Sequence, residues 1–412
     1  GGGLRNGDRR PAMTSHDFTG PELCRRQAHE VVALLKSGEI SPRDCLDAAF
    51  ARIAEVEPAI NAMPTLCPER AYAAAESLAS PDDGRAAWLA GLPLAIKDLN
   101  MVAGVRTTFG TKGFSDFVPE SSDLLVTRLE SRGGIVVGKT NTPEMGAGGN
   151  TFNEVFGPTL NPWDRRLNAG GSSGGAAASL ATGEVWLSHG SDHGGSLRTP
   201  ASYCGIVGLR PSPGRVPSSG PAGFATEGVQ GSMARSVRDC ALFLDVLSGF
   251  TPAVPVSHPQ PVDGTFEAAV IEAEPGINIA FSPDFNGMAQ ADTEVIEHLR
   301  NVLFRMQKEG ATVEEACPEL PDLERTYHTL RGIDMATAAR RCPDEVSRHF
   351  KKTLAENMEA GRRLTMDDVA DANLGRTVIF NNMVSFLERF DVLACPTVGC
   401  MPHPQSAEWV TE

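Results

Sequence analysis

The sequence has 412 residues, 41% of them hydrophobic and 22% charged, which is typical of a folded globular protein with a substantial core. Its 37 basic and 52 acidic residues give a net charge of −15, which argues against nucleic-acid or anionic-membrane partners. No apolar run is long enough to span a membrane, and the nine cysteines contain no C-x-x-C pair, so we expect a cytoplasmic protein with reduced thiols.

Helices are predicted for the first part of the chain. Apolar residues at helical spacing predict a helix from Pro21 to Lys36. Ser41-Pro42 predicts the start of a second helix, because serine favours the N-cap and proline the first turn. A third, alanine-rich helix is predicted from Pro68 to Leu78.

The run LPLAIKDLN, which follows Gly91, predicts a buried strand interrupted by one lysine. Burying an ammonium group costs several kcal/mol, so Lys97 needs a partner or a function. On position alone, the simplest interpretation pairs Lys97 with its neighbour Asp98 at the strand end.

A helix is predicted from Ser122 to Arg132, followed by a glycine cap and a strand over Ile135–Val137. The residues from Gly133 to Thr140 also match the Walker A pattern of P-loop nucleotide-binding proteins. A P-loop, however, follows a strand and leads into a helix. Here a helix precedes the pattern and β-branched residues lie between its glycines, so the context argues against a nucleotide site around Lys139.

Two serines lie in glycine-rich surroundings 24 residues apart: Ser172 in GGSSGG and Ser196 in HGGS. Glycine allows backbone N–H groups to approach a ligand closely, and consecutive N–H groups beside a hydroxyl can hold an anion. Between the serines we expect a buried helix over Ala176–Thr182 and a strand over Val185–Leu187, with a further helix from Leu197.

Histidines near Ser196 offer two other interpretations. A Ser-His-Asp triad is disfavoured because the side chains of the adjacent residues Asp192 and His193 diverge. A metal site of His189, Asp192 and His193 would need a helix, which the intervening glycines make improbable.

The remaining chain continues to alternate helices and strands. We expect helices over Ser236–Leu247 and Thr293–Lys308, several more between 320 and 390, and strands over Ile277–Phe281 and Val392–Ala394. This alternation predicts one α/β unit with a central sheet. Residues 1–12 are interpreted as a tag or disordered lead, and 13–412 as a single domain with an incomplete C-terminal segment.

GGSSGGAAASLATG, followed by GSDHGGSLRTPASYCGIVGLRPSPGRVP, resembles the amidase signature family of Ser-cisSer-Lys hydrolases. LPLAIKD resembles the lysine segment of that family, and KTNTPE and NPWD resemble two further segments. The likeness spans residues 91–217 and is weaker over 21–100 and 232–250.

The resemblance implies an α/β fold: a single α/β/α domain with a mixed central β-sheet flanked by helices. It also implies that Ser196 is the acyl nucleophile, that Ser172 follows a cis peptide bond and relays protons, and that Lys97 is the neutral base. Further implied site residues are the backbone oxyanion donors His193, Gly194, Gly195 and Ser196, the supporting residues Gly171, Ser173, Asp192 and Arg198, and the pocket residues Met145, Gly146, Ala147 and Gly148.

The function implied is an amidase that acts on a small or aryl carboxamide with neither metal nor cofactor. Esterase side activity and a homodimer are left open. The alternatives are the glutaminase subunit of a tRNA-dependent amidotransferase and, more distantly, a P-loop protein. Thr199 stands where those glutaminase subunits usually have glutamine, and His193 stands where many relatives have a small or apolar residue.

Overall fold

The computed structural model describes residues 22–79, 87–218, 223–261 and 264–408. The predicted lead at 1–12 and the last four residues lie outside these ranges. Within them the chain forms an α/β structure in which helices flank a mixed central sheet, as predicted.

The strands are short and most of them belong to two sheets. They are β1 (Thr65–Leu66), β2 (Leu92–Lys97), β3 (Gly134–Thr140), β4 (Phe152–Asn153), β5 (Gly157–Pro158), β6 (Leu187–Asp192), β7 (Val207–Leu209), β8 (Val229–Ala234), β9 (Asn278–Phe281), β10 (Thr312–Glu315) and β11 (Val392–Ala394).

The helices vary in length from one turn to six. They are α1 (Glu22–Arg25), α2 (Ala28–Ser37), α3 (Pro42–Ile60), α4 (Pro68–Glu76), α5 (Leu124–Ser131), α6 (Gly174–Ala181), α7 (Arg198–Cys204), α8 (Val237–Leu247), α9 (Phe266–Ile271), α10 (Thr293–Lys308), α11 (Leu323–Arg341), α12 (Asp344–Ser347), α13 (Lys352–Arg362) and α14 (Met366–Leu387).

The central sheet has six strands in the order β1-β3-β2-β6-β8-β7. The inner pairs β3–β2 and β2–β6 are parallel, whereas β1, β8 and β7 join in antiparallel fashion. Both β2 and β3 are buried along their whole length, which explains why their sequences are almost continuously apolar. The carboxyl ends of β2 and β6 carry Lys97 and Asp192 to the same edge of the sheet.

Two apolar clusters cover the two faces of this sheet, because side chains alternate along each strand. One face contributes Leu94, Ile96 and Val136, packed under α2, α5 and α8. The other contributes Ala95, Ile135 and Val137, packed under α6 and α7. Helix α3 packs against both clusters. The alanine-rich sequence of α6 lets this helix lie close to the strands that carry the candidate site.

A second sheet was only partly predicted. It is fully parallel in the order β10-β9-β11 and has a small core of its own, formed by Ile279, Phe281, Leu303 and Ala311. The strands β9 and β11 were predicted, but β10, which has the sequence TVEE and little burial, was not.

Two predicted boundaries are wrong. The single helix expected from Pro21 is interrupted before Ala28, because the Asp239 carboxylate accepts hydrogen bonds from the N–H groups of Ala28 and His29 and caps a new helix there. The strand expected at Val185–Leu187 instead begins at Leu187 and runs to Asp192. The second difference matters for function, because the polar residues of this segment lie in the sheet.

Candidate active site

Lys97 is fully buried at the end of β2, surrounded by serine hydroxyls. Its Nζ lies 2.7 Å from Ser172 Oγ, 2.9 Å from Ser173 Oγ and 3.1 Å from Ser191 Oγ. Burial lowers the pKa of Lys97 to about 7, while the negative charge of Asp192 opposes the shift. The side chain can therefore exchange a proton near neutral pH.

The glycines around Ser172 allow close packing of its loop. The Gly171–Ser172 peptide bond is cis, as the resemblance implied. A Cβ added at Gly171 would lie 2.6 Å from the carbonyl oxygen of Gly148, and one at Gly174 would collide with Thr151. The run GGSSGG therefore presses against the loop that follows Met145, and this contact presents the Ser172 hydroxyl to Lys97.

Ser196 lies in the turn between β6 and α7 and is half-buried. Its carbonyl oxygen accepts a hydrogen bond from Ser173 N at 3.2 Å, which joins the two serine-containing loops. Among the residues that the structure describes, none forms a hydrogen bond with the Ser196 hydroxyl. The hydroxyl is therefore not held by another protein group in these ranges.

Asp192 organises the turn that carries Ser196. Its carboxylate accepts hydrogen bonds from the backbone N–H groups of Gly195 and Leu197 and from the guanidinium groups of Arg198 and Arg210. Burial alone would raise the pKa of Asp192, but the hydrogen bonds and charge of Arg198, with the two backbone donors, hold it well below its usual range. The carboxylate is therefore ionised, and its oxygens are occupied by hydrogen bonds that hold the turn.

This arrangement corrects one prediction about the oxyanion hole. The N–H of Gly195 points to Asp192 Oδ1 at 2.9 Å and is not free to bind a substrate oxygen. The N–H groups of Gly194 and Ser196 have no hydrogen-bond partner in the described ranges. These two N–H groups of the turn are therefore not used by a protein acceptor in those ranges.

The histidines have separate structural partners. His189 is buried in β6, where its Nε2 lies 2.7 Å from Gln230 Oε1, and burial lowers its pKa to about 3. His193 Nε2 lies 3.0 Å from Asp334 Oδ2 of α11. Neither imidazole contacts Asp192, so the geometry supports neither a histidine triad nor a shared metal site. Across the described ranges, no three His, Cys, Asp or Glu side chains group closely enough to hold a metal ion.

The second buried lysine explains the Walker-like pattern. Lys139 lies within β3 rather than in a loop, and its Nζ contacts Asp98 Oδ1 and Thr107 Oγ1, each at 2.9 Å. Asp98 is thus the partner of Lys139 and not of Lys97, contrary to the simplest interpretation of the sequence. Because the residues of β3 pair with those of β2 within the sheet, they cannot form a P-loop.

The predicted pocket residues lie beside the serine cluster. A Cβ added at Gly146 would come within 3.7 Å of Ser172 Oγ. Ala147 packs in a small apolar cluster with Leu354 and Met358 of α13, against which Met145 also packs. The carbonyl of Gly148 lies against the cis peptide region, so the loop packs next to Ser172.

Several site residues were missed by the sequence analysis. Ser191 contacts Lys97, Arg210 binds Asp192, and Tyr327 of α11 lies over Gly194, where an added Cβ would collide with its hydroxyl oxygen. The alternation of β6 could have indicated Ser191 had the strand been placed correctly. No local pattern indicates Arg210 or Tyr327, because both reach the site from segments distant in sequence.

Comparison with known proteins now identifies the family. The family model described as Amidase matches residues 44–410. The chain belongs to the amidase signature family. As a member, it is an amide-hydrolysing enzyme, and none of its helices in the described ranges is long and apolar enough to cross a bilayer.

Relatives named for different activities resemble this amidase over most of its length. An acylamidase of Rhodococcus erythropolis is 35% identical over 382 residues, covering 92% of this chain and 80% of the relative. A glutamyl-tRNA(Gln) amidotransferase subunit from Halothermothrix orenii is 34% identical, covering 91% of this chain and 83% of the relative. The crystal structure of a bacterial aryl acylamidase superposes with a TM-score of 0.84 at 29% identity, covering 94% and 82%.

Proposed function

We propose that this amidase hydrolyses small or aryl carboxamides through a serine acyl-enzyme. The observation that carries the proposal is the buried contact of 2.7 Å between Lys97 Nζ and Ser172 Oγ, close to the accessible Ser196. The similarity to an acylamidase and to an aryl acylamidase supports this substrate class.

The reaction begins with proton transfer through the serine pair. Neutral Lys97 takes a proton from Ser172 as Ser172 takes one from Ser196, and the Ser196 oxygen attacks the carbonyl carbon of the amide. The oxygen of the tetrahedral adduct accepts hydrogen bonds from the backbone N–H groups of His193, Gly194 and Ser196.

Collapse of the adduct breaks the C–N bond. The leaving nitrogen takes a proton that returns from Lys97 through Ser172, and the acyl group stays on Ser196 as an ester. Water then attacks this ester with the same base, and the carboxylic acid is released as the proton returns to Ser196.

The partners of Lys97 suit it to act as the base. Three hydroxyls surround its amine, and these stabilise an ammonium less than a carboxylate would. Asp192 raises the pKa of Lys97, but Arg198 and Arg210 bind that carboxylate directly and offset its charge. The amine is therefore half deprotonated near pH 7.

Substitution of the nucleophile tests the proposal. Ser196→Ala should lower kcat/KM for 4-nitroacetanilide by at least about 10³-fold, and a fluorophosphonate should label the unsubstituted enzyme but not this variant. Ser202→Ala, which removes an exposed hydroxyl from α7, should change neither result. Retention of the wild-type rate in Ser196→Ala would refute the assignment.

The same preparation distinguishes the glutaminase alternative. Ser196-dependent release of glutamate from glutamine, without turnover of aryl amides, would favour the amidotransferase subunit instead. An aryl ester assayed in parallel measures the esterase side activity, which should also require Ser196.

A further inference from the structure

Helix α11 lies over the proposed catalytic turn. The Tyr327 hydroxyl lies against Gly194, and seven residues later Asp334 contacts His193. Further along the same helix, Met335 and Ala338 pack against the same small apolar cluster as the predicted pocket residue Met145. One face of α11 therefore extends from the proposed oxyanion hole to the predicted substrate pocket.

Arg331 belongs to this face. It lies four residues after Tyr327 and three before Asp334, the spacings that place side chains next to each other on a helix. At about 1.5 Å of rise per residue, Arg331 is about 6 Å along the axis from Tyr327. Its neighbour Gly332 faces elsewhere, since a Cβ added there would contact Leu364 and Gly361.

The charge of Arg331 is not balanced by a contact with any described residue. The residue is half-buried, and it forms no ion pair or hydrogen bond with any part of the chain that the structure describes. Asp334, one turn away on the same face, contacts His193 instead. A guanidinium that is partly removed from water favours a planar anion, which it can bind with two parallel hydrogen bonds.

There is also room next to this face. A cavity of about 220 Å³ lies between α11 and the loops that precede β8, and its lining is mostly small and apolar. Asp334 and Ala338 line it from α11, and Gly228 lines it beside the His193 ring. The side of this face that contacts His193 therefore borders open space.

We propose that Arg331 binds a carboxylate carried by the substrate, so that the preferred substrates are amides with an anionic substituent. This inference rests on the proposed function, because it assumes that the amide is cleaved at Ser196. Arg331 acts in binding and specificity and takes no part in the proton transfers.

Matched substrates and variants test the inference. Kinetics would compare two pairs of substrates. The monoanilide of glutaric acid and the anilide of pentanoic acid differ by a carboxylate on the acyl side of the scissile bond. The pair 4-acetamidobenzoate and 4-methylacetanilide differ by a carboxylate on the amine side. The wild type should favour at least one anionic member by about 10- to 100-fold in kcat/KM. Arg331→Gln should abolish this preference, mainly through KM, and leave the neutral amides unaffected.

Arg340→Gln provides the control, because Arg340 is an exposed arginine near the end of the same helix and its substitution removes the same charge. It should keep the wild-type preference. Binding of the anionic amides to the Ser196→Ala variant, measured by calorimetry, should weaken by the same factor when Arg331→Gln is added. This measurement reports on Arg331 even if turnover is slow.

Three outcomes would overturn the inference. The first is equal use of the anionic and neutral amides by the wild type, and the second is a retained preference in Arg331→Gln. The third is an equal loss of activity of Arg331→Gln towards both substrate types, which would indicate a structural role beside Asp334. Ser196-dependent cleavage of neutral anilides in any of these cases leaves the proposed function intact. Loss of Ser196 dependence for all the amides would instead refute the proposed function.

Discussion

Lowering the pH from 8 to 6 should remove most of the activity, because the proposed base must be neutral to accept a proton. With a pKa of about 7, Lys97 is neutral in about nine tenths of the molecules at pH 8, about half at pH 7 and about one tenth at pH 6. The kcat/KM should therefore fall about tenfold across this range. An unperturbed lysine would give a much lower rate that keeps rising up to about pH 10.

The assay needs a substrate that does not titrate between pH 6 and 8, such as 4-nitroacetanilide, in buffers of constant ionic strength. Circular dichroism at each pH shows whether the fold persists. Because the His193 side chain lies beside the proposed catalytic turn, His193→Gln is the control, and it should keep the same pH dependence. The buried His189 stays neutral throughout, since its pKa is about 3. A flat profile, or one that disappears in His193→Gln, would refute the role of Lys97.

Three further substitutions follow from the packing. Gly175→Ala should destabilise the fold by about 1–3 kcal/mol in urea unfolding, because the added Cβ would collide with backbone atoms of two other segments. Gly276→Ala is the control: its Cβ would have open space around it, so its stability should stay within about 0.5 kcal/mol of the wild type. Lys139→Met should lower the free energy of unfolding by about 3–5 kcal/mol, because it leaves the Asp98 carboxylate buried without its counter-ion. Adding Asp98→Asn should recover part of this loss. Additive losses in the double variant would contradict the pairing. Gly194→Ala should lower kcat/KM by about 10²-fold, because the added methyl group collides with the Tyr327 hydroxyl and shifts the turn that carries the proposed oxyanion donors. An unchanged rate would contradict that placement.

Strand β2 and the contacts of Lys97 illustrate what could be predicted from the sequence. An apolar run broken by one lysine indicates a buried cation, and the glycines around Ser172 indicate a loop whose backbone N–H groups can approach a ligand. Both conclusions depend on local chemistry, and the structure places the two side chains 2.7 Å apart although 75 residues separate them. The division of roles between Ser172 and Ser196, however, came from the family resemblance and not from local chemistry.

Other contacts could not be predicted because they depend on strand register or on distant helices. Asp98 follows Lys97 directly, but successive residues near a strand end point in opposite directions, so the aspartate meets Lys139 of the neighbouring strand. The contact of His193 with Asp334 joins residues 141 positions apart. Nothing in the helical period of α11 indicates which of its faces covers the turn.

The two buried lysines show how their partners set different roles for the same side chain. Both lie near the ends of adjacent parallel strands, and burial lowers the pKa of both. Lys139 contacts a carboxylate directly, which favours its charged form and makes it part of a structural ion pair. Among the described residues Lys97 forms hydrogen bonds only with hydroxyls, and Asp192, the carboxylate that raises its pKa, is already bound by two arginines. Because no direct counter-ion holds the ammonium form, the proton can leave, and the lysine that lacks an ion pair is the one suited to catalysis.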